Sequence, residues 1–187
     1  MTRQRRIAVL VGSLRKESFT RKAARAIVAE LPEGYTAEEV DISAVGSYNQ
    51  DLDTDDPPAA WAALRQVIKS ADAVLFATPE YNRSVPGVLK NAIDIASRPY
   101  GKSAFDGKPA AVVSVTPGAL GGFGANHHLR QSLVFLNMPV LQQPEIYLSG
   151  VGDWFDDQGR VKKDDTRTFL AKFAQAFTAW IEVVTED

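Results

Sequence analysis

The sequence contains no cysteine and only two histidines among its 187 residues. The absence of cysteine excludes disulfide bonds, thiolate catalysis, iron–sulfur clusters and cysteinyl zinc sites. The two histidines, His127 and His128, are adjacent. Because neighbouring residues on a helix point about 100° apart, they would not readily bind one ion together. We therefore predict no metal site and interpret the histidines as a surface or interface pair.

Long hydrophobic runs and an excess of one charge are also missing. No segment approaches the ~20 apolar residues that a membrane span requires, and the apolar run near the N-terminus is too short for a signal peptide. The formal net charge of −2 and the isoelectric point near 5.7 create no general attraction to nucleic acid or to an anionic membrane. These features predict a cytoplasmic protein without a nucleic-acid or membrane partner.

Three apolar runs are typical of strands buried on both faces of a parallel sheet. They are Ile7–Val11, Asp72–Thr78 and Lys108–Val115, and each leads into a polar loop followed by a helical pattern. Alternating strands and helices predict an α/β fold in which helices cover both faces of a parallel sheet. The length favours a single domain spanning residues 1–187.

Weaker patterns complete the expected fold. Residues 36–42 predict an edge strand, and residues 139–141 and 146–148 predict one or two short final strands. The segment 43–58 carries four aspartates and is interpreted as a solvated loop. A calcium loop is the alternative, but the glycine and the terminal glutamate of an EF-hand are absent.

Helical spacing of apolar residues indicates the helix after the third strand and two further helices. One begins at Pro57-Pro58, one lies around residues 126–137, and one begins at Asp164 or Asp165. The last carries an aromatic stripe that we interpret as core packed against the sheet. The residues expected on the buried sides of the second and third helices are Leu129, Leu133 and Leu136, and Phe169, Phe173, Phe177, Trp180 and Val184.

The loop from Gly12 to Thr20 carries hydroxyl groups and a guanidinium at the start of a helix. The free N–H groups and the dipole of a helix N-terminus favour an anion, to which Ser13, Ser18 and Thr20 can donate and Arg15 can add charge. Neither a G-x-G-x-x-G turn nor a P-loop is present, which favours a monophosphate. The alternative is that Ser18 or Thr20 is only a helix N-cap and that Arg15 is solvated.

Three polar loops follow the three buried strands. They are Gly12 to Thr20, Pro79 to Pro86 and Thr116 to Gly124, called here the first, second and third loops. In open parallel sheets, ligands bind beyond the carboxyl ends of the strands. The sequence therefore predicts that the three loops converge on one site. The alternative for the third loop is a flexible turn without a ligand.

Motifs in and after these loops carry a family resemblance. They are Gly-Ser-Leu-Arg-Lys-x-Ser-Phe at 12–19, Thr-Pro-Glu-Tyr-Asn-x-Ser-Val-Pro-Gly-x-Leu-Lys-Asn-Ala-Ile-Asp at 78–94 with Ser97-Arg98 after it, and His-His-Leu-Arg-Gln-x-Leu-Val-Phe-Leu at 127–136. In these motifs the chain resembles the NAD(P)H-dependent FMN reductases, a flavodoxin-like family that includes chromate and quinone reductases. The resemblance implies a flavodoxin-like three-layer sandwich with a five-stranded parallel sheet of order 2-1-3-4-5.

The resemblance also implies a set of FMN-binding residues. The first loop would hold the phosphate, the backbone of the second would face the isoalloxazine, and the third would lie near its pyrimidine side. Many relatives have asparagine in place of Thr20 and an aromatic residue in place of Arg83. The implied residues are Ser13, Arg15, Ser18, Phe19 and Thr20; Pro79, Glu80, Tyr81 and Asn82; and Thr116, Pro117 and Gly118.

The implied activity is hydride transfer from NAD(P)H to bound FMN and then to a quinone, free flavin, chromate or similar acceptor, in a ping-pong mechanism. No catalytic side chain is needed, because the flavin carries the hydride chemistry. Arg83 is a candidate contact for a cofactor phosphate or an anionic acceptor, or else part of a surface or intersubunit salt bridge. Glu80 is expected to pair with a nearby cation or to face a partner subunit.

The sequence leaves three alternative functions. A flavodoxin-type electron carrier would also bind FMN, but the net charge of −2 does not provide the acidic docking face of such carriers. A hydrolase using Ser13 or Ser114 is disfavoured because neither lies in G-x-S-x-G. A flavin-free binding protein would be colourless. The resemblance implies a homodimer or homotetramer that associates through the helices after the second and third loops.

Overall fold

The computed structural model describes residues 4–185 as an α/β fold. Its strands are β1 (Arg5–Val11), β2 (Tyr35–Glu39), β3 (Ala73–Thr78), β4 (Ala110–Val115) and β5 (Ile146–Leu148). Its helices are α1 (Phe19–Val28), α2 (Ala59–Ser70), α3 (Gly87–Ala96), α4 (Phe123–Phe135) and α5 (Asp164–Thr185), with short 3₁₀ helices at Gln50–Leu52 and Val151–Asp153. All neighbouring strands are parallel in the order β2-β1-β3-β4-β5, which confirms the flavodoxin-like sheet.

The sheet divides the hydrophobic core into two layers. Successive side chains of a strand point to opposite faces, so Leu10 joins the layer covered by α2, α3 and α4, whereas Val9 joins the layer covered by α1 and α5. Every residue of β3 and β4 is buried, as the apolar runs predict. The central strands thus hold the three loops in fixed positions at one edge of the sheet.

One edge prediction needed correction, and the prediction of one or two short final strands is confirmed with one strand. The strand predicted at 36–42 is β2 and ends at Glu39, because Ile42 and Val45 turn into the core against Trp61. Of the two short segments near the end of the sheet, only residues 146–148 form a strand. Residues 139–141 contribute one isolated bridge, between Val140 and Ala110. Pro139 has no N–H for a longer ladder.

The loop after β2 is less solvated than its sequence predicts. The carboxylate of Asp53 is only 4% exposed and accepts a hydrogen bond at 2.8 Å from Arg65 on α2. The Arg65 guanidinium also donates to the carbonyl of Ile95 at 3.0 Å. This buried pair ties the loop to α2 and α3, and it makes Asp53 part of the core.

The helical stripes are confirmed only in part. Phe173 and Phe177 of α5 are fully buried, but Phe169 is 43% exposed. At about 100° per residue, Phe169 lies about 80° from Phe177 around the helix, so it occupies the edge of the stripe opposite to the buried Phe177. On α4, Leu129 and Leu133 are buried and Leu136, just after the helix, is half-buried. Among residues 4–185, no helix is both long enough and apolar enough to cross a membrane.

Candidate FMN site

The hydroxyl groups of the first loop have two different roles. Ser18 is the N-cap of α1, and its Oγ accepts a hydrogen bond from the backbone N–H of Arg21 at 3.1 Å. Its hydroxyl hydrogen can still donate to a ligand. Ser13 and Thr20 are buried, and within residues 4–185 neither side-chain hydroxyl has a hydrogen-bond partner. Two hydroxyls are therefore available beside a capped helix. Phe19 packs against the α1–α5 side of the core.

The backbone of the first loop presents a row of unpaired donors. The N–H of Gly12 donates to the carbonyl of Ala77 at 2.8 Å. From Ser13 to Thr20, no backbone N–H donates to another residue in the described part of the chain. Consecutive free N–H groups at a helix N-terminus attract an anion. Arg15 is exposed and adds a guanidinium to this segment.

Arg21 and Glu39, which belong to no motif, hold the backbone of this loop. The Arg21 guanidinium donates to the carbonyl of Ser13 at 2.9 Å and to that of Arg15 at 2.8 Å. Its Nε donates to the Glu39 carboxylate at 2.6 Å. No sequence pattern indicates this arrangement, because it depends on the pairing of β2 beside β1.

The second loop contains a tight turn with two left-handed residues. Tyr81 and Ser84 exchange backbone hydrogen bonds of 3.1 and 2.9 Å, and the residues between them, Asn82 and Arg83, have φ angles of 51° and 64°. Positive φ at both central positions is a property of type I′ turns. Asparagine adopts it readily, whereas arginine incurs a cost of roughly 1 kcal/mol or more.

Glu80 connects the second loop to α4 and to Arg83. Its Oε2 accepts a hydrogen bond from the backbone N–H of Ala125 at 2.9 Å, and its Oε1 lies 3.8 Å from a guanidinium nitrogen of Arg83. Gly122, the residue before α4, has no side chain with which to cap the helix. The carboxylate supplies that cap, which explains why α4 begins at Phe123 and not near residue 126. The expected pairing of Glu80 with a cation is present.

The first and second loops enclose one side of a common cavity. Gly12 lies so close to the second loop that a Cβ there would come 3.2 Å from Pro79 Cδ and 3.1 Å from Leu89 Cδ2. A cavity of about 470 Å³ opens beside this contact. Its lining includes predicted site residues from both loops, which the fold therefore brings together. The lining residues are Gly12, Ser13, Leu14, Arg15, Tyr81, Pro86, Gly87 and Val88.

The third loop lies at the same edge of the sheet but does not line that cavity. Thr116 follows β4 directly, and its Oγ1 accepts a hydrogen bond from the N–H of Gly118 at 3.1 Å. The Gly118 carbonyl accepts from Gly150 at 3.3 Å. Pro117 and Gly118 are exposed. These hydrogen bonds hold the backbone at the start of the loop.

The two histidines bond to different partners. His127 Nε2 lies 3.0 Å from the hydroxyl of Tyr147, and His128 Nδ1 lies 2.9 Å from Oγ of Ser84. Burial, followed by a hydrogen bond to Glu145, raises the pKa of Tyr147 to about 12. Among residues 4–185, no group of three or more histidine or carboxylate side chains is placed to hold a metal ion.

Several known proteins are similar to this chain in sequence or in fold. A quinone reductase of Pseudomonas putida is 55% identical over 177 residues, which is 95% of this chain and 95% of that protein. A 2-hydroxy-1,4-benzoquinone reductase of Burkholderia sp is 43% identical over 176 residues, covering 94% and 96%. The solved structure of FerB, a flavoenzyme NAD(P)H:(acceptor) oxidoreductase from Paracoccus denitrificans, matches with a TM-score of 0.90 at 38% identity, covering 96% of this chain and 98% of that one.

The family itself is identified by a match to most of the chain. The protein-family model described as NADPH-dependent FMN reductase matches residues 5–153, which contain β1 to β5 and all three loops. With relatives this similar along nearly the whole length, the chain belongs to the NADPH-dependent FMN reductase family, a flavodoxin-like group of oxidoreductases that use FMN and NAD(P)H.

Proposed function

We propose that this protein is a cytoplasmic quinone reductase that binds FMN between its first two loops and works by a ping-pong mechanism. The observation that carries the proposal is the first loop, whose backbone N–H groups are free from Ser13 to Thr20 and whose residues Ser13, Leu14 and Arg15 line the cavity of about 470 Å³. Quinones are the favoured acceptors because the Pseudomonas putida relative is a quinone reductase. Free flavin and chromate are the other candidate acceptors.

The first loop fits the phosphate of FMN. A phosphate monoester is a compact anion with several acceptor oxygens, and the segment from Ser13 to Thr20 offers free N–H groups, two free hydroxyls and one guanidinium. No side-chain carboxylate lines the cavity beside it. Ser13, Arg15 and Thr20 would bind the phosphate directly, and Ser18 would add its hydroxyl hydrogen. Phe19 would contribute through its backbone.

The second and third loops would hold the ring system. FMN bound here would supply a hydride acceptor that NAD(P)H reduces and a quinone reoxidises. In the described chain, the backbone N–H groups of Glu80 and Asn82 have no hydrogen-bond partner. They are free to donate to the ring edge and to stabilise negative charge there. Thr116, Pro117 and Gly118 would approach the pyrimidine side.

Arg83 would contact the anionic part of a substrate at the rim of the site. Its side chain is 73% exposed, and its ion pair with Glu80 at 3.8 Å is long, so the pair contributes little to stability. The residue nevertheless occupies a left-handed position that costs arginine free energy. Arg83 thus costs free energy in the fold and contributes little stability in return. This favours a role in binding over a role in folding.

Spectroscopy and kinetics test the proposal. The purified protein should be yellow or should take up added FMN, and NADH or NADPH should bleach the flavin without oxygen. Initial rates measured over a range of NADPH concentrations, at several fixed quinone concentrations, should give parallel double-reciprocal lines, as a ping-pong mechanism requires. Intersecting lines would contradict the mechanism. A protein that binds no FMN would contradict the site.

The electron-carrier alternative predicts different kinetics. A carrier would bind FMN but would not sustain NADPH oxidation when a quinone is added. We expect sustained turnover, and the comparison of several quinones with free FMN and chromate at equal concentration would rank the acceptors.

We further propose a homodimer or homotetramer that associates through α3 and α4. Apolar side chains on α4 face solvent, including Val134 at 74% and Phe135 at 72% exposure, and a cleft of about 510 Å³ lies between the two helices. Exposed apolar patches mark interaction surfaces. Light scattering should show an oligomer, and Phe135→Lys should shift it toward monomer. A wild-type monomer at micromolar concentration would contradict this.

A further inference from the structure

The Arg21 guanidinium fixes two peptide planes of the first loop. Its two terminal nitrogens bond to the carbonyls of Ser13 and Arg15 at 2.9 and 2.8 Å. A peptide unit is planar and trans, so the N–H of the next residue points opposite to each carbonyl. The bonds from Arg21 therefore direct the N–H groups of Leu14 and Lys16 away from the guanidinium.

Residues of the loop line two clefts, and Arg21 lines only one of them. Arg21 and Glu39 line a cleft of about 470 Å³ that also includes Leu14. Ser13, Leu14 and Arg15 line the separate cavity assigned above to FMN, and Arg21 is not among its lining residues. Because the carbonyls of Ser13 and Arg15 bond to a residue of the first cleft, the N–H groups of Leu14 and Lys16 point away from that residue and are free to bind a phosphate at the loop.

Glu39 holds the guanidinium in this orientation. Its Oε1 accepts from Arg21 Nε at 2.6 Å, and the Arg21 side chain is only 21% exposed. The planar guanidinium has five donors in fixed directions. One donor engages the carboxylate while two others reach the loop, a geometry that a lysine ammonium cannot reproduce.

We propose that Arg21, oriented by Glu39, is a positioning residue that pre-forms the phosphate-binding backbone of the first loop. This inference rests on the proposed placement of FMN. Arg21 acts without touching the phosphate. It binds the carbonyls of Ser13 and Arg15, so that the N–H groups of the next residues are already oriented before the cofactor binds. Pre-organised donors lose less conformational freedom on binding, which tightens the complex.

Flavin binding to the flavin-stripped full-length protein tests the role, with FMN compared with riboflavin, which lacks the phosphate. Arg21→Gln should weaken FMN binding about tenfold or more, the scale of one charge-assisted hydrogen bond, and should leave riboflavin binding within about twofold. Arg21→Lys should lose most of the same affinity, and Glu39→Gln should lose less. Arg25→Gln is the matched control, because Arg25 pairs with Glu39 at 3.3 Å but makes no bond to the loop.

The outcomes separate this inference from the proposed site. A wild-type protein that binds no FMN would end the proposed function. A wild-type protein that binds FMN together with an Arg21→Gln protein of equal affinity would overturn only the positioning role. Equal losses for FMN and riboflavin would also overturn it, since they indicate a general structural defect. If Arg21→Gln does not fold, unchanged FMN affinity in Arg21→Lys and Glu39→Gln would overturn it.

Discussion

The carboxylate of Glu80 caps a helix that begins more than forty residues later in the chain, by accepting a hydrogen bond from the backbone N–H of Ala125 at 2.9 Å. The helix dipole places partial positive charge at this end of α4, so the carboxylate is stabilising there. Glu80 thereby connects the second loop to α4.

Removing this cap should lower the free energy of unfolding without abolishing hydride transfer. We expect Glu80→Ala to lower the free energy of unfolding by about 1 kcal/mol, as the loss of an N-cap does. Glu80→Gln keeps an acceptor oxygen and should cost less. Urea denaturation measures both. Glu17→Ala, which removes only a surface ion pair with Lys22, should change little, and an equal loss in that control would contradict the capping role.

A side chain at Gly12 should crowd Leu89 and Pro79. An added Cβ would come within 3.1 to 3.3 Å of Leu89 and Pro79, so Gly12→Ala should push the first two loops apart. We expect a loss of roughly 1–3 kcal/mol in unfolding free energy and weaker FMN binding. Gly152→Ala is the control, because nothing lies within 4 Å of its added Cβ. Wild-type FMN affinity in Gly12→Ala would show that this contact does not shape the site.

Replacement of Arg83 should change stability and substrate binding in opposite directions. Arg83→Gly removes the left-handed strain at φ 64° and should stabilise the protein by about 1 kcal/mol. It should also raise KM for NADPH or for an anionic quinone. Arg83→Lys keeps the charge and the strain, and should retain most of the substrate affinity. Unchanged Michaelis constants in both Arg83→Gly and Arg83→Ala would exclude a substrate contact.

The alkaline limit of stability should depend on Tyr35. Burial, and then its hydrogen bond to Glu182, raises the pKa of Tyr35 to about 12. An ordinary tyrosine ionises near pH ~10, so the unfolded chain loses this proton first. The stabilising contribution is therefore complete below pH ~10 and is lost as the pH rises toward about 12.

In the Tyr35→Phe protein, the free energy of unfolding should fall less steeply as the pH rises through this range. Urea denaturation between pH 9 and 11.5 would compare its slope with that of the wild type, and Tyr100→Phe is the control because Tyr100 is exposed. Equal slopes in wild type and Tyr35→Phe would contradict the assignment.

Local patterns were sufficient to predict the features that depend on local sequence. The run from Ile7 to Val11 is apolar throughout, and β3 and β4 are apolar except for Thr78 and Ser114, so burial on both faces followed directly. The first and second loops line one cavity, as the common edge at which parallel strands end predicts, whereas the third loop does not line it. The cavity that joins Arg15 to Tyr81 agrees with that reasoning.

Contacts between distant segments could not be predicted in the same way. The sequence predicts Asp53 to be one of several solvated aspartates. Its ion pair with Arg65 forms only because α2 packs beside the loop. The bonds of Arg21 to Glu39 need β2 beside β1, and the cap from Glu80 needs α4 beside the second loop. Such interactions depend on tertiary packing, and no residue spacing indicates them.

The free N–H groups of the first loop also make it a natural reporter. Amide protons without an intramolecular acceptor exchange with deuterated solvent far faster than those in a strand or helix. Residues 13–20 should therefore appear in NMR spectra as a cluster of rapidly exchanging resonances next to the slow signals of β1. The degree to which a flavin analogue slows that exchange would show, one amide at a time, how completely it occupies the loop.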